Sequence, residues 1–298
     1  SSVNEFLEQQ GTRPALKVEL VGLEEEILQP NGFFSIKPQK TIAEVKETNL
    51  IVIPAIHGDN EHNLKLNASL RPWLVDHYKK GAEIASLCVA SFFLASTGLL
   101  DNRICSTHWR YSNQFRKMFP KAILMDDKIL TESDGIYTSG GAYSFTNLLL
   151  YLIEKYTSRD ISVLAAKTFM IDIDRNSQSP FIIFSGQKTH KDQDVLRIQE
   201  YIEKNYREKI IVEELCKNIA QSRRTFERHF KKATSNTIVE YIQRVKVEAA
   251  KKELEKGRKT VNEIMYEVGY SDPKAFREVF RKIVNMTPGD YLKKYKLN

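Results

Sequence analysis

The sequence predicts two domains: an N-terminal three-layer α/β sandwich with a mostly parallel sheet, and a C-terminal all-α domain with two helix-turn-helix units. Three observations predict this division. Across residues 1–175, short apolar runs alternate with amphipathic stretches of helical period, which is how strands covered on both faces by helices read. Beyond Val195 the strand-like runs stop and capped helical periods take over. That last segment also repeats itself at a spacing of about fifty residues, the mark of a duplicated structural unit.

The N-terminal strands are expected at Leu16–Val21, Leu50–Pro54, Ile84–Leu87, Ile104–Thr107 and Ala122–Met125, with shorter peripheral ones at Phe33–Ile36 and Lys128–Ser133. Helices are expected at Leu70–Lys79, Trp109–Met118 and Tyr143–Tyr156. The uncharged run from Ile84 to Leu100 lies between Glu83 and Asp101. It is short for a membrane span and reads as a buried strand leading into a helix, so no membrane partner is expected. Residues 176–194 hold Ser177, Ser179, Pro180 and Gly186 without a sustained period and read as the linker, although Phe181–Phe184 is apolar enough to pack on one domain.

The 42% hydrophobic content excludes a disordered chain. The net charge of +7 is unevenly placed. Residues 191–298 hold 25 Lys and Arg against 17 Asp and Glu; of the totals of 45 and 38, the first 190 residues keep 20 and 21. A basic domain beside a neutral one points to a polyanionic partner for the basic part. Cys88, Cys105 and Cys216 are odd in number and lack CxxC spacing, which excludes a disulfide scaffold and fits a reducing, cytoplasmic setting. No secretory signal is visible. The chain opens Ser1-Ser2-Val3 without Met, so the native N-terminus is expected upstream.

In the C-terminal repeat, Phe226, Phe230, Thr237 and Tyr241 recur as Phe276, Phe280, Thr287 and Tyr291. Leu215, Ile219 and Ser222 match Ile264, Val268 and Ser271 one residue out of step, a slip that a turn tolerates. In the second copy Thr260-Val-Asn-Glu263 is a capping box, the helix it starts ends at Val268, Gly269 suits a left-handed C-cap, and Asp272-Pro273 opens the next helix. The first copy is expected to run from Val212 to Ile219, turn through Ala220-Gln221 and restart with Ser222 as N-cap. The second helix of such a unit enters the major groove of DNA. Its candidate contacts are Arg223, Arg224, Thr225 and Arg228 in the first copy, and Asp272, Pro273, Lys274 and Arg277, with Arg281 further along, in the second. A connecting helix over about Ile238–Glu255 would set the two readers apart.

Residues from about Val195 to Tyr295 resemble the DNA-binding domain of the AraC/XylS family, most specifically through Val261-Asn-Glu-Ile-Met-Tyr-Glu-Val-Gly-Tyr-Ser-Asp-Pro-Lys-Ala-Phe-Arg-Glu-Val-Phe-Arg-Lys and Thr287-Pro288. One departure is Ile238, where the first copy often has Pro; it should alter only the start of the connecting helix. The resemblance implies double-stranded DNA as partner and control of transcription as function.

In the N-terminal half, Cys88 sits where a buried strand meets a helix, a position that exposes a nucleophile, and His108 follows another short strand. Both would lie at the C-terminal strand ends where ligands of open parallel sheets bind. These residues are candidates for a catalytic pair, and equally for a core cysteine and a histidine that satisfies a neighbour. Leu50-Ile-Val-Ile-Pro54, the Cys88 turn, Leu99 to Trp109 and Ile136-Tyr-Thr-Ser-Gly-Gly141 resemble the class I glutamine-amidotransferase-like superfamily, in its PfpI-related branch fused to AraC-type domains. That resemblance implies a flavodoxin-like three-layer fold. Three departures argue against catalysis: Val89 stands where His commonly follows the nucleophile, Ala55-Ile56 follows Pro54 where Gly is usual, and the usual first strand is expected upstream of Ser1. The expectation is therefore a non-enzymatic sensing or dimerising domain with a small-molecule pocket near Ile56, His57, Cys88, His108 and Gly140. A cysteine-dependent amidase localised by its basic domain is the alternative. No cofactor is expected. His57 and His62 flank Gly58-Asp59-Asn60 without a third ligand at supporting spacing, so no metal is expected either.

Overall fold

The computed structural model describes residues 2–28, 35–56, 58–173, 176–188, 190–217, 219 and 221–296. The chain divides into two compact units, Ser1–Gln178 and Ser179–Asn298.

The first unit runs through α1 (Ser2–Gln9), the short strands β1 (Val21–Gly22), β2 (Ile27–Leu28), β3 (Ser35–Ile36) and β4 (Lys40–Thr41), then β5 (Leu50–Ile53), α2 (Asn60–Leu66) and α3 (Leu70–Lys79). It continues through β6 (Glu83–Ser86), α4 (Ser91–Ala95), β7 (Ile104–Cys105), α5 (Ser112–Met118), β8 (Ile123–Leu124), β9 (Leu130–Ser133), β10 (Ile136–Ser139), α6 (Ser144–Tyr156) and α7 (Arg159–Thr168). The main sheet has the order β5-β6-β10-β9, with its first three strands parallel and β9 antiparallel. Strand alternation decides its two faces. Ile84 and Ile136 point into a core with Ile53, Leu74, Phe92 and Phe115, while Ala85 and Tyr137 point the other way, under Leu148 and Leu152 of α6. Helices thus cover both faces, the three-layer arrangement expected. On the outside, Val3, Phe6 and Leu7 form one face of α1 and pack with Leu150, Ile161, Ala165 and Ala166 of α6 and α7.

Two N-terminal expectations need correction. No strand spans Leu16–Val21: only Val21 and Gly22 pair, in parallel with Lys40 and Thr41, and Val18 and Leu20 are exposed. Leu16 packs on the core of α1, α6 and α7, but the rest of the alternation has no second strand among the described residues to pair with until Val21. Conversely, β10 is a fully buried central strand that periodicity did not reveal, because Thr138 and Ser139 make it read as polar. Its hairpin with β9 turns on Asp134-Gly135, both at positive φ, the Asp-Gly pair that a two-residue turn favours. Of the expected peripheral strand Phe33–Ile36, Ser35–Ile36 pairs with β2, while Phe33 and Phe34 lie outside the described residues.

The second unit consists of α8 (Gln193–Asn205), α9 (Val212–Cys216), α10 (Arg223–Thr234), α11 (Ile238–Lys256), α12 (Val261–Glu267), α13 (Pro273–Val284) and α14 (Pro288–Tyr295). Its helices enclose two cores. Phe226, Phe230, Ile238 and Tyr241 centre one; Val247, Leu254, Phe276, Phe280 and Tyr291 centre the other. The α11 helix feeds both, and by helical rise it is about 28 Å long. Its start is a capping box of Thr237 with Glu240, so Ile238 needs no proline to begin the helix. The α9 helix stops at Cys216, short of the expected Ile219, and Ala220 of the expected turn lies outside the described residues.

The segment expected as linker is largely packed down. Ser177 and Gln178 belong to the first unit and Ser179–Lys188 lies on the second. The Phe184 N–H donates to Glu248 Oε2 at 3.1 Å, and Lys251 Nζ donates to the Ile182 carbonyl at 2.5 Å while pairing with Glu248 at 3.1 Å. The Phe184 ring meets Tyr241 edge-on, and Phe181 meets Tyr295 likewise. Apolar side chains in a polar stretch anchor this strap across α11.

Candidate functional site

Strand β6 delivers Leu87 and Cys88 to the C-terminal end of the main sheet. The Leu87 N–H donates to the Ile53 carbonyl, and the chain then turns through Cys88 at φ 58°. A non-glycine residue at positive φ is uncommon and persists where its surroundings hold it. Here the Cys88 N–H donates to Ser139 Oγ at 3.1 Å, and the Ser91 and Thr107 hydroxyls, 2.7 Å apart, both lie within hydrogen-bond reach of the Cys88 carbonyl, which accepts from them. The elbow is therefore formed, but its thiol is 7% exposed and burial pushes its pKa up, offset only in part by the Val89 N–H. His108 is the N-cap of the turn Trp109–Tyr111; its Nδ1 accepts the Arg110 N–H at 3.1 Å, and burial, then Arg110, lowers its pKa. Cys88 thus follows β6 and His108 follows β7, and burial raises the pKa of the one and lowers that of the other. Ile56 packs against the adjoining core, and His57 lies outside the described residues.

At Gly140 the structure adds a residue that sequence reading missed. Gln178 is 1% exposed, and its carboxamide fills the space beside Gly140. Its Nε2 donates to the Thr107 and Lys128 carbonyls at 3.0 and 3.1 Å, and its Oε1 accepts the Trp109 N–H at 3.2 Å. A Cβ on Gly140 would stand 2.7 Å from Nε2. Nothing in the polar run around Ser177–Pro180 signalled this role.

In the second unit the two helices expected to read DNA are near copies. Each has twelve residues, a side-chain N-cap (Ser222 on the Thr225 N–H, Asp272 on the Lys274 N–H) and a left-handed C-cap, Ser235 at φ 58° and Asn285 at φ 57°. Each buries two phenylalanines four apart, which turns the intervening residues outward. Arg224 and Arg228 are exposed on α10, as are Lys274, Arg277 and Arg281 on α13. Arg223 is placed differently: its guanidinium bonds Glu213 of α9 and, at 2.8 Å, Glu227 one turn on. Thr225 Oγ1 is engaged with the cap hydroxyl of Ser222, and Asp272 and Pro273 form the cap and first turn of α13. Lys246 of α11 is a further residue that sequence reading did not single out. Buried, it donates to the Gly269 carbonyl in the second turn at 3.0 Å and lies near the Glu208 carbonyl between α8 and α9, with its pKa lowered by burial.

Comparison with known families settles the first unit. The model of the DJ-1/PfpI family matches residues 5–155. The chain belongs to the DJ-1/PfpI family. Within this DJ-1/PfpI chain a second model, described as a helix-turn-helix domain, matches residues 215–294, so the resemblance of the C-terminal third to AraC-type domains is borne out. Among curated proteins it is 25% identical over 216 residues to the HTH-type transcriptional regulator GbdR of Pseudomonas aeruginosa, a match covering 71% of this chain and 58% of the relative. It is 38% identical over 100 residues to the bifunctional transcriptional activator/DNA repair enzyme AdaA of Bacillus subtilis, covering 34% of this chain and 47% of that protein. The chain thus spans less than two thirds of these relatives' length. Among solved structures, Drosophila melanogaster DJ-1beta superposes with a TM-score of 0.45 at 18% identity, covering 57% of this chain and 90% of that one. Among the described residues no helix is long and apolar enough to cross a membrane.

Proposed function

We propose that this protein is a sequence-specific DNA-binding regulator of transcription whose DJ-1/PfpI unit senses a small molecule without catalysing its conversion. The observation that carries the reading is the duplication of α10 and α13, alike in length, caps and buried phenylalanines, each presenting exposed cations outward. The basic surplus of the same region supplies attraction to phosphate, and α11 has the reach to set two readers in neighbouring grooves about 34 Å apart. Arg224, Arg228, Lys274 and Arg277 are the proposed base or phosphate contacts. Arg223, Thr225, Asp272 and Pro273 hold the ends of the reading helices. The relatives named as transcriptional regulators support the same reading, and a cytoplasmic location follows from DNA as partner. Dimerisation through the first unit rests on the family resemblance alone.

The buried, pKa-raised thiol of Cys88 and the engaged Nδ1 of His108 support sensing over hydrolysis. The pocket would include Ile56, Cys88, His108 and Gly140. Selection of duplexes from a random pool at physiological salt tests the proposal. An enriched motif with two half-sites about ten base pairs apart is expected, and binding that shows no sequence preference contradicts it.

A further inference from the structure

At the strand ends, where the sensing pocket is proposed, one buried side chain is bound as a ligand would be. Gln178 is the last residue of the first unit, and its carboxamide makes three hydrogen bonds, all to main-chain groups: the Thr107 and Lys128 carbonyls and the Trp109 N–H. Gly140 makes room for it, since a Cβ there would overlap the whole amide group, at 2.7–2.9 Å. Next to this group, a Cβ on Gly141 would stand 3.9 Å both from Gln178 Oε1 and from Ser144 Oγ. The Ser144 hydroxyl is fully buried and has no hydrogen-bond partner among the described residues. A buried hydroxyl without a partner is unfavourable unless something else binds it. The neighbourhood is that of Cys88, whose N–H donates to Ser139 beside Gly140 and whose carbonyl is held by Ser91 together with Thr107.

We infer that Gln178 is an internal occupant of the sensing pocket and that the effector is a small molecule presenting a primary carboxamide to the same main-chain groups. This rests on the sensing role proposed above. The donor and acceptor pattern selects the chemistry. Two carbonyls need two N–H donors, and the Trp109 N–H needs one acceptor, all on adjacent atoms. A carboxylate offers no donor and would face two carbonyl oxygens. An ammonium or guanidinium offers no acceptor. A secondary amide leaves one carbonyl bare, and a buried group left bare costs about 1–3 kcal/mol. An incoming carboxamide must displace Gln178, whose main chain continues directly into the strap Ser179–Lys188 on the second unit, so occupancy of the pocket is tied by the backbone to the DNA-reading part.

The test is made on the full chain with Gln178→Ala, and with Gln178→Glu as a second variant that keeps the side-chain size while setting a carboxylate against the two carbonyls. Acetamide, acetate and N,N-dimethylacetamide are titrated while the melting temperature and tryptophan emission are followed. Acetamide is expected to stabilise both variants saturably, at concentrations at least about tenfold below those acting on the unaltered protein, where the tethered Gln178 competes at high effective concentration. Acetate and dimethylacetamide are expected to do nothing. Equal responses to all three probes, or no saturable response to acetamide in either variant, would overturn the inference and leave Gln178 as a packing side chain. Duplex selection is independent of this result: its failure strikes the regulator reading, and failure of acetamide alone strikes only the carboxamide subsite.

Discussion

Two glycines with nearly the same backbone conformation should differ sharply in what alanine does to them. Gly269, in the turn between α12 and α13, has φ +77°; Gly257, which caps α11, has φ +63°. Holding alanine in the left-handed region costs about 1–2 kcal/mol at either place. Their surroundings differ. The nearest atoms to a Cβ at Gly257 all belong to the Lys296 side chain, from 2.5 Å, and that exposed chain can swing away. A Cβ at Gly269 would stand 2.2 Å from the Arg207 carbonyl oxygen, which is main chain, and 2.7 Å from Lys246 Nζ, which the Gly269 carbonyl itself holds. Relieving that overlap moves two backbone segments and adds about 1–3 kcal/mol, as overpacking does. Gly269→Ala should therefore destabilise the second unit by about 3 kcal/mol and Gly257→Ala by about half that or less. In melting temperature the first corresponds to a fall of about 10–15 °C for a domain of this size. Far-UV circular dichroism reads it, because the second unit is helical throughout. Trp73 and Trp109 both lie in the first unit, so tryptophan emission gives an internal control. Equal losses for the two substitutions would refute the argument that the Arg207 main chain closes over the turn.

Other outcomes follow from the same geometry. Arg224→Ala should cost about 1–3 kcal/mol at one base position if its guanidinium reads a guanine, whereas Arg223→Ala, already bonded to Glu213 and Glu227, should change affinity less and evenly across sequences; a larger, base-selective loss at Arg223 would reverse the assignment. Cys88 should resist iodoacetamide at neutral pH in the native protein and label on unfolding, since burial raises its thiol pKa; stoichiometric native labelling would favour the hydrolase alternative. The Glu263 carboxylate accepts the Thr260 N–H at 2.7 Å, and this backbone bond above all lowers its pKa from 4.5. Its contribution to stability is present above that ordinary value and lost as pH falls through the lowered one. Glu263→Gln should therefore lose less stability than the unaltered protein between pH 7 and pH 3, read from urea midpoints, and identical losses would contradict it.

What could be read from the sequence follows how local each cause is. Helix ends were legible, since Ser222, Thr260 and Asp272 bond N–H groups two or three residues on and Gly269 supplies its own left-handed turn. The fifty-residue repeat placed α10 and α13, and four-residue spacing of phenylalanines gave their buried faces. Strand β10 was missed because Thr138 and Ser139 are buried through distant partners: the Ser106 and Cys88 N–H groups bond their hydroxyls. Its Asp134-Gly135 turn was a local signal that could have found it. Gln178 had no such signal, as its partners lie 50 to 71 residues away. Lys246 belongs to the same class, reaching Gly269 from α11. The i,i+4 spacing of Arg223 and Glu227 was visible and pointed to the ion pair that they form.

The central claim is that α10 and α13 each read one half-site. The most direct measurement is binding of the full chain to its selected duplex and to duplexes altered in one half-site at a time, repeated with Arg224→Ala and with Lys274→Ala/Arg277→Ala. The account predicts that each variant becomes indifferent to changes in one half-site while keeping full discrimination at the other. Uniform loss at both half-sites in both variants would contradict it, and would make the two helices phosphate contacts of a single, non-reading surface.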